Sequence, residues 1–163
     1  MSPLHTALTG EREPDALHAK GFPMSLGQFP RWVRDNKLNR FTIDTHVGAN
    51  SDDDKFIWIA PFDVKVRSIK YLPAVAGTDA GAVSLDVRKI NAASAPGAAA
   101  GANVIELLTT AFDLKAAANT TLVGALVTTE ASLQILATNK IAMNSTGTTT
   151  AVKGILVIEM EMI

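Results

Sequence analysis

Three histidines, His5, His18 and His46, and one run of carboxylates, Asp52-Asp53-Asp54, are the residues whose types could do chemistry beyond packing. Hydrolysis needs a nucleophile, a base and a group that orients the base. The chain has no cysteine, no Gly-x-Ser-x-Gly elbow and no Ser-x-x-Lys pairing in a suitable setting. His5 and His18 lie in the N-terminal segment, and the alternation of residues 41–47 places His46 on the polar face of a strand. All three are expected to be surface histidines. With Asp44 and His46 nearby, the aspartate run could offer oxygens to Ca²⁺, which takes about six to eight ligands. Three successive aspartates without the spaced D-x-[DN]-x-[DN]-G pattern cannot all face one ion, so a solvated hairpin tip is expected. No glycine-rich loop joins a strand to a helix as phosphate binding requires; Gly97, Gly101 and Gly124 read as turn or loop glycines. Trp32, Trp58 and Tyr71 could form a sugar-stacking platform, but Trp58 lies between Ile57 and Ile59 in an apolar run, so core or interface burial is expected. No catalytic residue, metal site or cofactor is assigned.

The elements that would position these residues are short and alternating. Strands are predicted over Phe41–Val47, Phe56–Ala60, Val64–Leu72, Val83–Ile90, Val104–Leu108, Leu122–Val127, Leu133–Leu136, Lys140–Met143 and Val152–Met162, bounded by turn chemistry such as Ala76-Gly77-Thr78-Asp79 and Thr146-Gly147-Thr148. Phe41, Ile43, Thr45 and Val47 share one face; Thr42, Asp44 and His46 share the other. Val83, Leu85 and Val87 likewise oppose Ser84, Asp86 and Arg88. In residues 64–71 the phase slips from Val64 and Val66 to Ile69 and Tyr71, which predicts a β-bulge at Arg67-Ser68. Leu156, Ile158, Met160 and Met162 oppose Glu159 and Glu161 in a strand expected to be central, covered on both faces at its start. Pro61 cannot donate to a ladder, so the runs on either side of it are separate strands or meet at a sharp corner. Eight or nine such strands predict an all-β, jelly-roll-like sandwich over residues 41–163.

Bulk composition excludes several classes. A net charge of −1, from 15 basic and 16 acidic residues, gives no general attraction to nucleic acid or to an anionic membrane surface. No segment approaches the roughly 18 apolar residues of a membrane span, and no leader pattern opens the chain. Without cysteine, stability must come from packing and association. Alanine-rich connections, Ala92–Ala102 and Ala116–Ala118, inflate the apolar fraction without adding much burial.

Residues 1–40 differ from the rest. They hold four of the seven prolines and show no sustained period, so an extended arm is expected. Glu13-Pro14-Asp15 could begin one helical turn. Phe22, Leu26, Phe29, Trp32, Val33 and Leu38 make this stretch more apolar than a solvated tail, so it is expected to dock, either on its own sandwich or on a neighbour. Arg31, Arg34, Lys37 and Arg40, opposed by Asp35, form the one locally basic patch. The candidate protein interface is therefore Phe22, Phe29, Arg31, Trp32, Val33, Arg34, Lys37 and Arg40.

Several stretches carry a resemblance: Phe56 to Ile69 with Ile59-Ala60-Pro61 inside it, Ala76-Gly77-Thr78-Asp79 leading to Arg88-Lys89, Ala95-Pro96-Gly97, Phe112-Asp113-Leu114-Lys115-Ala116-Ala117-Ala118-Asn119-Thr120, and Gly147 to Val152. In these, residues 56–162 resemble the β-sandwich decoration, or cement, proteins of tailed bacteriophage capsids. The resemblance implies a non-catalytic structural protein made in the host cytoplasm and bound to the outside of the virion head. Its partners would be the major capsid protein and further copies of itself, as a homotrimer, with no nucleic acid, membrane or small-molecule substrate. The alternative is a head-fibre or tail-associated module that binds a host glycan or receptor through loops such as Ala92–Asn103 and Ser145–Thr150.

Overall fold

The structure is a computed structural model that describes residues 39–48, 54–91 and 93–163. Ten strands run in chain order: β1 (Arg40–Val47), β2 (Asp54–Ile59), β3 (Val64–Val75), β4 (Ser84–Ile90), β5 (Val104–Glu106), β6 (Phe112–Asp113), β7 (Leu122–Val123), β8 (Gln134–Ile135), β9 (Lys140–Thr146) and β10 (Lys153–Met162). One helical turn, α1 (Glu130–Leu133), precedes β8. Pairing is antiparallel and nested: β1 with β10, β2 with β9, β3 with both β8 and β7, and β4 with both β5 and β6. The chain is thus one long hairpin rolled up on itself. The contacts β10–β3 and β9–β4 then close two sheets, β1-β10-β3-β7 with β8 beside β3, and β2-β9-β4-β5 with β6 beside β4. Nested pairing in two facing sheets is jelly-roll-like order.

The inner faces follow from the alternation. Val64, Val66, Ile69 and Tyr71 of β3 and Leu156, Ile158 and Met160 of β10 meet Leu85 and Val87 of β4 and Ile141 and Met143 of β9 in one continuous core. Full burial of such side chains contributes about 1.5–3 kcal/mol each. The bulge expected at Arg67-Ser68 is present: Ser68 pairs with Glu159 and Val66 with Met160, leaving Arg67 as the extra residue. Pro61 marks a change of sheet, with β2 in one layer and β3 in the other. Trp58 packs partly buried against the core, its ring 5.9 Å from that of Phe41.

Four details differ from the sequence expectation. First, β3 continues past Leu72 to Val75, because Pro73 falls at an irregularity of the β10 ladder where its missing N–H costs little, and its carbonyl accepts from Asn119 N–H. Second, Phe112–Asp113 forms a strand too short for periodicity to reveal, while the predicted strand over 122–127 shrinks to β7. Third, the start of β10 is not covered on both faces, since Ile155 is exposed. Fourth, Arg88, expected on the outward polar face of its strand, is buried.

Candidate interaction surface

Of the candidate interface residues, Phe22, Phe29, Arg31, Trp32, Val33, Arg34 and Lys37 lie outside the described residues, as do His5, His18, Asp52, Asp53 and the helical turn expected near Pro14. Arg40 is described. It opens β1 opposite Glu161, and its guanidinium is shared between Glu159 (3.2 Å) and Glu161 (3.4 Å). Glu161 also receives Arg67 Nε at 2.6 Å. Burial pushes the Glu161 carboxyl up, but the hydrogen bonds from Arg67 and Asn39 and the two guanidinium charges outweigh it, leaving it below the usual carboxylate range. Beside Arg40, the buried Asn39 donates from its side chain to Met162 O (3.1 Å), and Met162 N–H returns a bond to Asn39 O. The root of the N-terminal segment is therefore tied to the last strand.

The outer face of this sheet divides in two. The end near Asn39 carries the network of Arg40, Arg67, Glu159 and Glu161, with a Lys65–Glu130 ion pair alongside. The other end is apolar. Register aligns His46, Ile155 and Leu72 in one row, and Asp44, Val157, Lys70 and Val123 in the next. Ile155, Leu72, Val75 and Val123 are exposed there, Val123 at 69%. Neighbouring outward positions in a sheet act as one surface, so these strands present an apolar patch of Leu72, Val75 and Ile155, with the exposed Lys70 standing between Val157 and Val123.

On the opposite sheet the outer face is covered over β4, whereas Phe56 and Ile59 of the edge strand β2 stay exposed. Arg88 stands across from Ala142 and Glu106, and its Nη1 donates to Ala98 O at 2.9 Å, pinning the alanine-rich connection over the sheet. Asp86 and Glu106 lie 3.6 and 3.7 Å from its other terminal nitrogen. Burial, and then Glu106, raise the Asp86 carboxyl; Arg88 offsets this only in part. Periodicity alone could not find this cluster, because it reads Arg88 as an outward residue and does not see what covers the outside.

Three of the segments that carried the resemblance, residues 76–79, 112–120 and 147–152, meet at one end of the sandwich. Gly77 N–H donates to Leu114 O (2.8 Å), Leu114 N–H to Val83 O (3.0 Å), and Lys115 Nζ to Gly81 O (2.8 Å). Thr150 donates to the Asp79 carboxylate from both its backbone N–H and its hydroxyl, at 3.1 Å each. Gly147 turns there with φ of +93°, a conformation that favours glycine. These motifs act as clasps between loops.

His46 is exposed on the polar face of β1, and Asp54 accepts from the Asn144 side chain. Among the described residues no group of three or more His, Cys, Asp or Glu side chains is placed to hold a metal ion. What the described surface offers is an apolar patch at Leu72, Val75 and Ile155, further exposed apolar residues at Phe56, Ile59 and Leu136, a closed ionic network and a fixed root for the N-terminal segment. No family model, no curated protein and no solved structure matches the chain.

Proposed function

We propose that the protein is a structural virion component that binds the outer surface of a tailed-phage head and stabilises the capsid, acting without catalysis. The observation that carries this reading is the fixed root at Asn39 and Arg40, which joins a 38-residue segment rich in aromatic and basic side chains to a closed sandwich. Two linked binding elements repeated by symmetry gain avidity that neither has alone. The sandwich supports the role in a second way, because its loops are pinned by hydrogen bonds and its ionic groups are largely paired within the fold. In this proposal Phe22, Phe29, Trp32 and Val33 supply apolar anchors on the major capsid protein, and Arg31, Arg34 and Lys37 meet acidic shell surface. Arg40 holds the root instead, since Glu159 and Glu161 already engage it. The apolar field of Leu72, Val123 and Ile155 is assigned to contact between copies in a homotrimer.

The test adds full-length protein, and a form beginning at Asn39, to heads stripped of this component, with occupancy read by sedimentation. Full-length protein is expected to bind and to raise the temperature at which heads rupture, while the truncated form stays folded and fails to bind. If neither form binds, the proposal is removed.

A further inference from the structure

The inner row of β4 runs Leu85, Val87, Lys89, and Lys89 stands opposite the fully buried Ile141 in register. Its aliphatic stem therefore continues the core, and its ammonium emerges at the end of the sandwich where α1 passes into β8. There Nζ donates to Ala131 O at 2.8 Å and to Gln134 O at 3.0 Å. An ammonium has three N–H donors. Among the described residues, neither a third acceptor nor a carboxylate partner faces it, although the residue is only 5% exposed. A cation buried beside neutral dipoles alone lacks the counter-charge that normally offsets its desolvation. Burial accordingly lowers the Lys89 pKa below its ordinary value.

A depression of about 320 Å³ opens at this point, lined by Lys89, Asn91, Ala131, Gln134, Leu136 and Asn139. Three of these residues carry side-chain amides, and Leu136 is 52% exposed. The volume sits at the small end of ligand pockets, enough for one side chain or a small acid and too little for a larger ligand. We propose that the Lys89 depression is a carboxylate-binding site, in which the ligand supplies the third acceptor and the missing counter-charge, and Leu136 contacts the carbon chain behind the carboxylate. A free short-chain acid and an acidic side chain on a partner surface share this chemistry. The site is independent of the decoration reading, because either source would use the same groups.

The test titrates full-length protein, at constant ionic strength in chloride, with glutarate, with the peptide acetyl-Leu-Glu-Leu-amide, and with uncharged glutaramide. The readout is the NMR shift of the Lys89 ε-methylene and of the Asn91 and Asn139 side-chain amides. At least one carboxylate probe is expected to give a saturable shift confined to these groups, with none from glutaramide. Response to glutarate alone points to a free acid, and response to the peptide alone to a partner's side chain. Lys89→Met should weaken binding at least about tenfold, a loss of about 1.4 kcal/mol. Leu136→Ser, at an exposed position that leaves the fold intact, should weaken the peptide more than glutarate. The proposal is overturned if neither carboxylate gives a saturable shift in the wild-type protein, a result that does not depend on any variant folding. It is also overturned if glutaramide matches the acids, or if a folded Lys89→Met binds unchanged.

Discussion

Tyr71 is the chain's single tyrosine, and its hydroxyl is buried in the core with no hydrogen-bond partner among the described residues. An unmade bond at a buried hydroxyl subtracts from stability, so Tyr71→Phe is expected to leave the unfolding free energy in urea melts unchanged or raise it by up to about 1 kcal/mol. Burial also pushes the phenol up to about 12 from 10. The unfolded chain therefore releases this proton first, and stability falls as pH rises from 10 toward 12, by at most about 1.4 kcal/mol per unit. Because no other tyrosine contributes, tyrosinate absorbance should show no titration near pH 10 in the folded protein, and Tyr71→Phe should flatten this alkaline loss. Thr138 offers the complementary case. It is a β-branched residue at φ of +73° in the turn before β9, and left-handed backbone costs such residues about 1–2 kcal/mol. Thr138→Gly should stabilise the protein by up to about 1 kcal/mol in thermal melts, and a loss would mean that the hydroxyl matters more than the backbone.

Gly154 shows why elements are held where they are. A methyl group there would lie 2.5 Å from the Tyr71 ring and 2.7 Å from Leu72 O, so β10 can approach β3 this closely only with glycine. Gly154→Ala should destabilise by about 1–3 kcal/mol in denaturant melts. A cost below about 0.5 kcal/mol would mean that the two strands separate easily. Such strand-level features were readable from the chain wherever alternation was strict. The β3 bulge followed from the slip between Val66 and Ile69, and the change of sheet at Pro61 followed from its missing donor. Other features lay beyond periodicity. Leu122–Val123 and Phe112–Asp113 are two-residue strands set by their neighbours, and Arg88 looks outward until the alanine-rich connection is known to cover it. That cover is testable. Arg88→Met removes the donor to Ala98 O and leaves Asp86 beside Glu106 without its cation. Amide exchange should then accelerate in residues 93–103 while the β3 and β10 ladder stays protected, with a stability loss of about 1–3 kcal/mol.

At the scale of the whole molecule, the two ends of one sheet face are built for different purposes. The Arg40–Glu161–Arg67 end is internally neutralised and anchors the chain's entry into the sandwich, so it has little charge left for a partner. The Leu72–Val123–Ile155 end has no such closure. A sandwich of this size could expose these positions as polar residues, as β1 does at Thr42, Asp44 and His46, without altering its core. Leaving them apolar gains nothing for the monomer and costs solubility, a cost that association between copies would remove. The trimer proposed above thus makes a demand on particular side chains. Leu72→Thr together with Val123→Thr keeps strand propensity and touches only outward positions, so monomer stability should stay within about 0.5 kcal/mol. Light scattering should show the mass falling from trimer to monomer at micromolar concentration, with the weaker species less able to hold heads through avidity. An unchanged mass in the double variant would move the contact between copies to another surface and leave this field without its assigned role.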